Sequence, residues 1–252
     1  MGVSCQMWAG LSLWYLGRPD AALSRAREAE QLASAPARDY SRATASAQLA
    51  LVHQFRLEPD ATLASADATI ALADERGYVY RSAMGRVLRG WALTRLGSPE
   101  AGVEEAARGL AMSRMTGARL DDPYYLGLLA DGYLRAGELD AARAALDEGL
   151  ECSARDGAPF YEPELRRLLA LVLLQRGELA EAEAMLRAAM ACARSQSSRS
   201  LELRAATTLA ELLRDAGRAG EARATVAAVY AAFDEGHDTR DLRAAAALLS
   251  QP

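Results

Sequence analysis

The stretch LRAGELDAA, residues 134–142, decides the fold because it does not occur only once. It returns as LQRGELAEA at 174–182 and, more loosely, as LRDAGRAGEA at 213–222. The central glycines stand on a 40-residue lattice, Gly17, Gly97, Gly137, Gly177 and Gly217, with Leu57 at the one vacant node. Seven residues before the nodes come Gly10, Ala50, Gly90, Ala130, Ala170 and Ala210, and five after them Ala22, Thr62, Gly102, Ala142, Ala182 and Ala222. Small residues repeated on two neighbouring helices let their backbones approach closely, as stacked helical hairpins require. Each unit therefore reads as helix A, a turn at the node, helix B and a longer connection.

Capping signals agree with this reading. Pro19, Pro59 and Pro99 fall where the first turn of helix B begins and a missing N–H costs little, with Ser98 placed as an N-cap. Gly77, Gly117 and Gly157 form a second lattice suited to ending helix B, and Asp122-Pro123 and Glu162-Pro163 place an acid beside a proline at the next helix start. The fold expected is all-α, a solenoid of six 40-residue hairpins in one array over residues 1–252. Its units are 3–40, 41–80, 81–120, 121–160, 161–200 and 201–237, followed by a capping helix at 239–250. The chain begins inside the first helix A, with Trp8, Leu11 and Trp14 at core spacing, so that apolar end is expected to be covered by residues upstream of Met1.

Composition narrows the chemistry. Of 252 residues none is Lys or Asn, and 29 Arg carry all the basic charge at net charge −5, the codon signature of a GC-rich bacterial genome. Without Lys there is no Walker A loop and no Schiff-base amine. Neither a G-x-S-x-G elbow nor an H-E-x-x-H helix is present, so no enzyme activity is expected. His53 lies at a core-layer position and His237 in a loop, while Cys5, Cys152 and Cys192 read as small apolar residues rather than zinc ligands or disulfide partners. Neither a cofactor nor a metal is implied. Dispersed Arg on an acidic chain makes no stripe for nucleic acid, and the opening apolar segment lacks a basic n-region and a cleavage site. No run reaches membrane-spanning length. A cytoplasmic protein is expected.

The small residues flanking a central Gly, at seven before and five after, resemble the tetratricopeptide repeat across essentially the whole chain, in units six residues longer than the usual 34. More narrowly, RGWALTRLGSPEAGVEEAARGL, PYYLGLLADGYLRAGELDAA and SLELRAATTLAELLRDAGRAGEA resemble the C-terminal helical-repeat region of bacterial adenylate/guanylate cyclase-type multidomain ATPase regulators. That resemblance implies a right-handed superhelix acting as a non-catalytic protein-binding or regulatory scaffold, the C-terminal part of a larger signalling ATPase or cyclase. The alternative is a sensor that relays a small effector to the attached domain. It also implies that helices A line a concave groove, aromatic in its first half through Trp14, Tyr15, Phe55 and Trp91. In its second half the groove would be charged through Asp131, Arg135, Arg167, Arg204 and Arg214. The implied partner is a protein segment or a neighbouring domain of the parent chain, an acidic peptide being the form that Arg forks would hold.

Overall fold

Alanine-rich segments without β-branched runs favour helix. The described residues, 2–34, 39–157 and 159–250 of a computed structural model, form thirteen α-helices and no strand. The hairpins are α1 (Val3–Tyr15) with α2 (Pro19–Ala33), α3 (Asp39–Phe55) with α4 (Pro59–Arg76), and α5 (Val79–Arg95) with α6 (Pro99–Met115). They continue as α7 (Asp122–Ala136) with α8 (Leu139–Asp156), α9 (Glu162–Gln175) with α10 (Leu179–Ser195), and α11 (Arg199–Asp215) with α12 (Ala219–Tyr230). One 3-10 turn, Pro159–Tyr161, leads into α9, and α13 (Arg240–Ser250) ends the array. The connection closing the first unit runs through residues 35–38, which lie outside the described residues.

Every node is a left-handed turn between helix A and helix B. The angle φ is 85° at Gly17, 97° at Gly97 and 77° at Gly137, and Leu57 adopts 59° despite its Cβ. A side chain in that conformation costs roughly 1–2 kcal/mol, so the lattice imposes the turn even where glycine is missing. The second lattice behaves alike, with Gly77 at 71°, Gly157 at 61° and Ser197 at 56°. His237 breaks its register, because the left-handed residue is Gly236, one position earlier. Ser98 occupies its N-cap position, but its hydroxyl makes no cap bond, since ψ of 65° is not the extended geometry that aims a cap oxygen at the first turn. The cysteines are free thiols in three settings, Cys152 buried, Cys192 half-buried and Cys5 exposed, so the small-apolar reading fits Cys152 alone.

The small-residue lattice is the packing lattice. Ala50, Ala130, Ala170 and Ala210 are fully buried, as are Ala22, Thr62, Ala142 and Ala182 across the hairpins. The approach is tightest between α5 and α6, where a Cβ on Gly90 would lie 2.5 Å from the Gly102 carbonyl oxygen and 2.6 Å from the Ala106 nitrogen. Helices B bury one stripe each, Ala22, Ala26, Ala29 and Ala33 in α2. Helices A are enclosed on several sides, α3 from Ala43 to Phe55 with only Ser46 in that run not fully buried. Because backbone cannot yield as a side chain can, Gly90→Ala is expected to force α5 from α6 and cost about 1–3 kcal/mol. A denaturant midpoint unchanged from wild type would show that the two helices have slack there.

Candidate functional site

Curvature accumulated over six hairpins brings the first unit against the last. Ser200 Oγ donates to the Trp14 carbonyl at 2.5 Å and Arg204 Nη2 to the Phe55 carbonyl at 2.6 Å, joining α11 to α1 and α3. A clasp closes the same seam. Glu235 Oε1 accepts from the Asp20 and Ala21 amides at 3.0 and 2.9 Å, capping the first turn of α2 from the far end of the chain. Asp20 answers by accepting from the Gly236 amide at 2.9 Å and from Arg56 Nη1 at 2.8 Å. A carboxylate on orphan N–H groups at a helix start is favoured by the macrodipole. Arg56 also binds Glu58 at 2.8 Å, and Glu58 meets His53 Nδ1 at 2.5 Å, which satisfies that buried imidazole.

Closure fills the interior that the resemblance implies is an open groove. Trp14, Phe55 and Trp91 are 2%, 1% and 1% exposed, so in this closed form they are core and offer no surface to a partner. Trp14 stacks on Phe55 with centroids 4.4 Å apart, and Tyr124 meets Phe55 at 5.5 Å and Tyr161 edge-on at 4.9 Å. Tyr124 Oη reaches Gln54 at 2.8 Å, and burial pushes its phenol well above the usual range. Tyr15, the fourth aromatic of the set, stays half-buried.

The charged half is paired internally. Asp131 accepts from Trp91 Nε1 at 3.1 Å and from Arg95 Nη2 at 2.8 Å, with Arg135 Nε at 3.6 Å. Arg167 forks onto Glu164 at 2.9 and 2.7 Å. Arg204, 6% exposed, binds Asp241 at 2.8 Å, approaches Glu164 at 3.6 Å and lies 4.9 Å over the Trp14 ring. Burial raises the Glu164 pKa, but the Arg167 guanidinium and then that of Arg204 outweigh it and hold the carboxyl at about 2. Arg214 turns outward onto its neighbour Asp215 at 2.9 Å. The forks of Arg167 and Arg204 are therefore occupied by carboxylates of this chain, whereas the side chains of Arg135 and Arg214 reach the surface.

One concavity that closure leaves is a mouth beside the starts of α7, α9 and α11. It holds a depression of about 570 Å³ lined by Ser12, Tyr15 and Leu16 from the first unit, Leu120, Pro159 and Phe160 from connections between units, and Gln196, Ser197 and Ser198 ahead of α11. Leu16 and Leu120 are 46% and 58% exposed, whereas the Tyr15 and Ser198 hydroxyls are buried without a hydrogen-bond partner. An apolar concavity of this size with a few polar groups has the general character of a ligand site. Tyr15 is the sequence candidate that belongs to it. Leu16, Leu120 and Phe160 were missed because they sit in turns and connections, where apolar residues break no helical pattern. Among the described residues no group of His, Cys, Asp and Glu could hold a metal ion, and no helix is long and apolar enough to cross a membrane.

The tetratricopeptide-repeat family model matches residues 123–148 and 163–188, the fourth and fifth hairpins. No curated protein matches the chain in sequence. Among solved structures, aspartyl phosphate phosphatase F from Bacillus subtilis superposes with TM-score 0.65 at 14% identity, over 91% of this chain and 59% of that one. A Rap protein complexed with competence and sporulation factor gives 0.66 at 11% identity, over 97% and 72%. A signal transduction ATPase with a tetratricopeptide repeat sensor, from Pyrococcus horikoshii, gives 0.57 at 13%, over 97% and 41%. This chain thus spans about three fifths of the phosphatase and two fifths of the ATPase. At such identities the likeness is one of fold, a tetratricopeptide-like scaffold.

Two outcomes follow from the seam. The Glu164 carboxyl has a folded pKa below its unfolded value, so its contribution is complete above about pH 4.3 and is lost as pH falls towards 2. Glu164→Gln is expected to flatten the dependence of the denaturant midpoint on pH in that window, and to cost about 3–5 kcal/mol at neutral pH by leaving Arg167 and Arg204 without a counter-charge. Asp20→Asn combined with Glu235→Gln removes the clasp's charges, and small-angle scattering should then report a larger radius of gyration at unchanged helicity. An identical radius would mean that the seam holds without it.

Proposed function

We propose that residues 1–252 act as one non-catalytic binding module that recognises a protein segment at the mouth and regulates a larger bacterial signalling ATPase or cyclase of which it is the C-terminal part. The observation that carries this is the mouth itself, where exposed Leu16 and Leu120 flank a depression built from both sides of the seam. The ATPase described as carrying a tetratricopeptide repeat sensor, and the Rap protein described as complexed with competence and sporulation factor, support a regulatory role by analogy of fold. Apolar side chains of the partner would occupy the depression, while the forks of Arg167 and Arg204 stay with their internal counter-ions. The missing nucleophile and P-loop motifs support a role without chemistry of its own.

The unpartnered hydroxyls of Tyr15 and Ser198 favour the second reading, a small-effector sensor using the same depression. Panning a displayed random-peptide library on the purified chain separates the two. Enrichment is expected, and Leu16→Glu with Leu120→Glu should lower it at least about tenfold by placing charge on the apolar rim. Leu179→Glu, which alters an equally exposed leucine on α10, should leave it unchanged. Absence of enrichment, or equal loss in all variants, would refute the peptide reading.

A further inference from the structure

Two hydroxyl groups in the mouth are buried and unused. Ser198 precedes α11 at the position that usually caps a helix, yet its hydroxyl makes no cap bond, since ψ of 78° falls short of the extended geometry that capping needs. Ser98, the same kind of residue ahead of α6, is exposed, so water can serve its oxygen. Ser198 is 2% exposed, and its Oγ meets no partner among the described residues. Its backbone is fixed on both sides, the amide donating to the Ala193 carbonyl at 2.8 Å and the carbonyl accepting from the Glu202 amide at 2.9 Å. The Tyr15 hydroxyl is buried without a partner in the same way. Its ring is held edge-on by Trp14 at 5.2 Å, Phe55 at 5.6 Å and Phe160 at 6.4 Å.

A buried hydroxyl left unpaired destabilises a fold, and native structures keep few of them. Here two stand on opposite sides of the seam, Tyr15 at the end of α1 and Ser198 ahead of α11, and both line the depression of the mouth. The other walls select against charge. No residue of the lining carries an ionised side chain. Leu16, Leu120 and Phe160 give an apolar body its contacts, and Gln196 Nε2 is engaged by the Pro159 carbonyl at 2.8 Å, which braces two walls. Asp121, next to Leu120, accepts from the Tyr80 hydroxyl. Burial pushes the Tyr15 phenol up, with Arg204 opposing and Glu164 and Asp121 adding, so the group stays protonated and able to donate. A carboxylate entering the depression would lose water without meeting a cation from its walls, and an ammonium would lose water without meeting an anion.

We infer that the mouth takes a small uncharged molecule with an apolar body and a carbonyl headgroup, an amide or an ester, that accepts from the Tyr15 and Ser198 hydroxyls. The inference rests on the effector reading of the mouth given above. It makes Tyr15 and Ser198 the residues that set specificity, and it gives both hydroxyls the partner that the chain itself does not supply. Hydrogen bonds to hydroxyls on the two sides of the seam would also tie the ligand to the closed form.

Calorimetric titration of the purified chain with octanamide, octanoate and octylammonium varies the headgroup on one apolar body. Octanamide is expected to bind at least about tenfold more tightly than either ion. Tyr15→Phe and Ser198→Ala should each weaken octanamide at least about threefold and leave octanoate unchanged. The same variants report on the free protein, because deleting an unpaired hydroxyl should raise the denaturant midpoint or leave it in place. Equal affinity for the three probes, or undiminished octanamide binding in either folded variant, would overturn the headgroup assignment. The effector reading would survive that result if Leu16→Glu with Leu120→Glu still abolished binding. Absence of binding by all three probes would overturn both. A midpoint lowered in both variants would show that the hydroxyls serve the fold, and would overturn the assignment as well.

Discussion

A guanidinium taken almost wholly out of water must find acceptors for its donors or destabilise everything around it. Arg204 meets that condition by using groups from across the chain: the Phe55 carbonyl of the second unit, Asp241 of α13, Glu164 of α9 and the face of Trp14 in α1. Each partner is held by its own unit, so the cation can be satisfied only where those units converge. The closed superhelix is the arrangement that provides them together. The aromatic packing around Trp14 and Phe55 then follows, since the interior left by closure is too narrow to remain wet and is filled by rings.

How much of this was legible divides along sequence distance. The hairpins were legible, because the Gly and Ala lattices record contacts within a unit and between neighbours, and those recur every 40 residues. Closure was not. Asp20 and Glu235 meet from opposite ends of the chain, and the rotation that brings them together is a sum of small angles that no repeat pattern encodes. The charged candidates show the same division. Asp131 pairing with Arg135 follows helical i,i+4 spacing, but no repeat position or capping pattern singles out Glu164 or Asp241. Both proved to be counter-ions for Arg204. Of the mouth, only Tyr15 could be read in advance.

Leu57 and Ser197 show how strongly the lattice governs local structure. Neither residue favours the left-handed region, yet both adopt it at φ of 59° and 56°. The flanking helices fix where the chain must reverse, and packing of the enclosed A helices outweighs a local cost of roughly 1–2 kcal/mol at one residue. Consistency among the other nodes is what lets two residues deviate.

An open solenoid is stable approximately as a sum of units and nearest-neighbour contacts, and it can fray from either end. Here the ends are joined, so loosening the first unit strips the first-turn cap from α2 and removes contacts from α11 in the same event. The depression at the mouth inherits this coupling. Its wall takes Ser12, Tyr15 and Leu16 from one side of the seam and Gln196, Ser197 and Ser198 from the other, so it has this shape only while the seam is shut. A molecule touching both sides would bind the closed form better than the open one, and would shift the equilibrium by that difference in affinity and no more. The clasp's ion pairs join Arg56, a buried side chain, to Asp20 and Glu58, which are only partly covered. Because the seam joins both ends of the array, binding energy spent there acts on both at once.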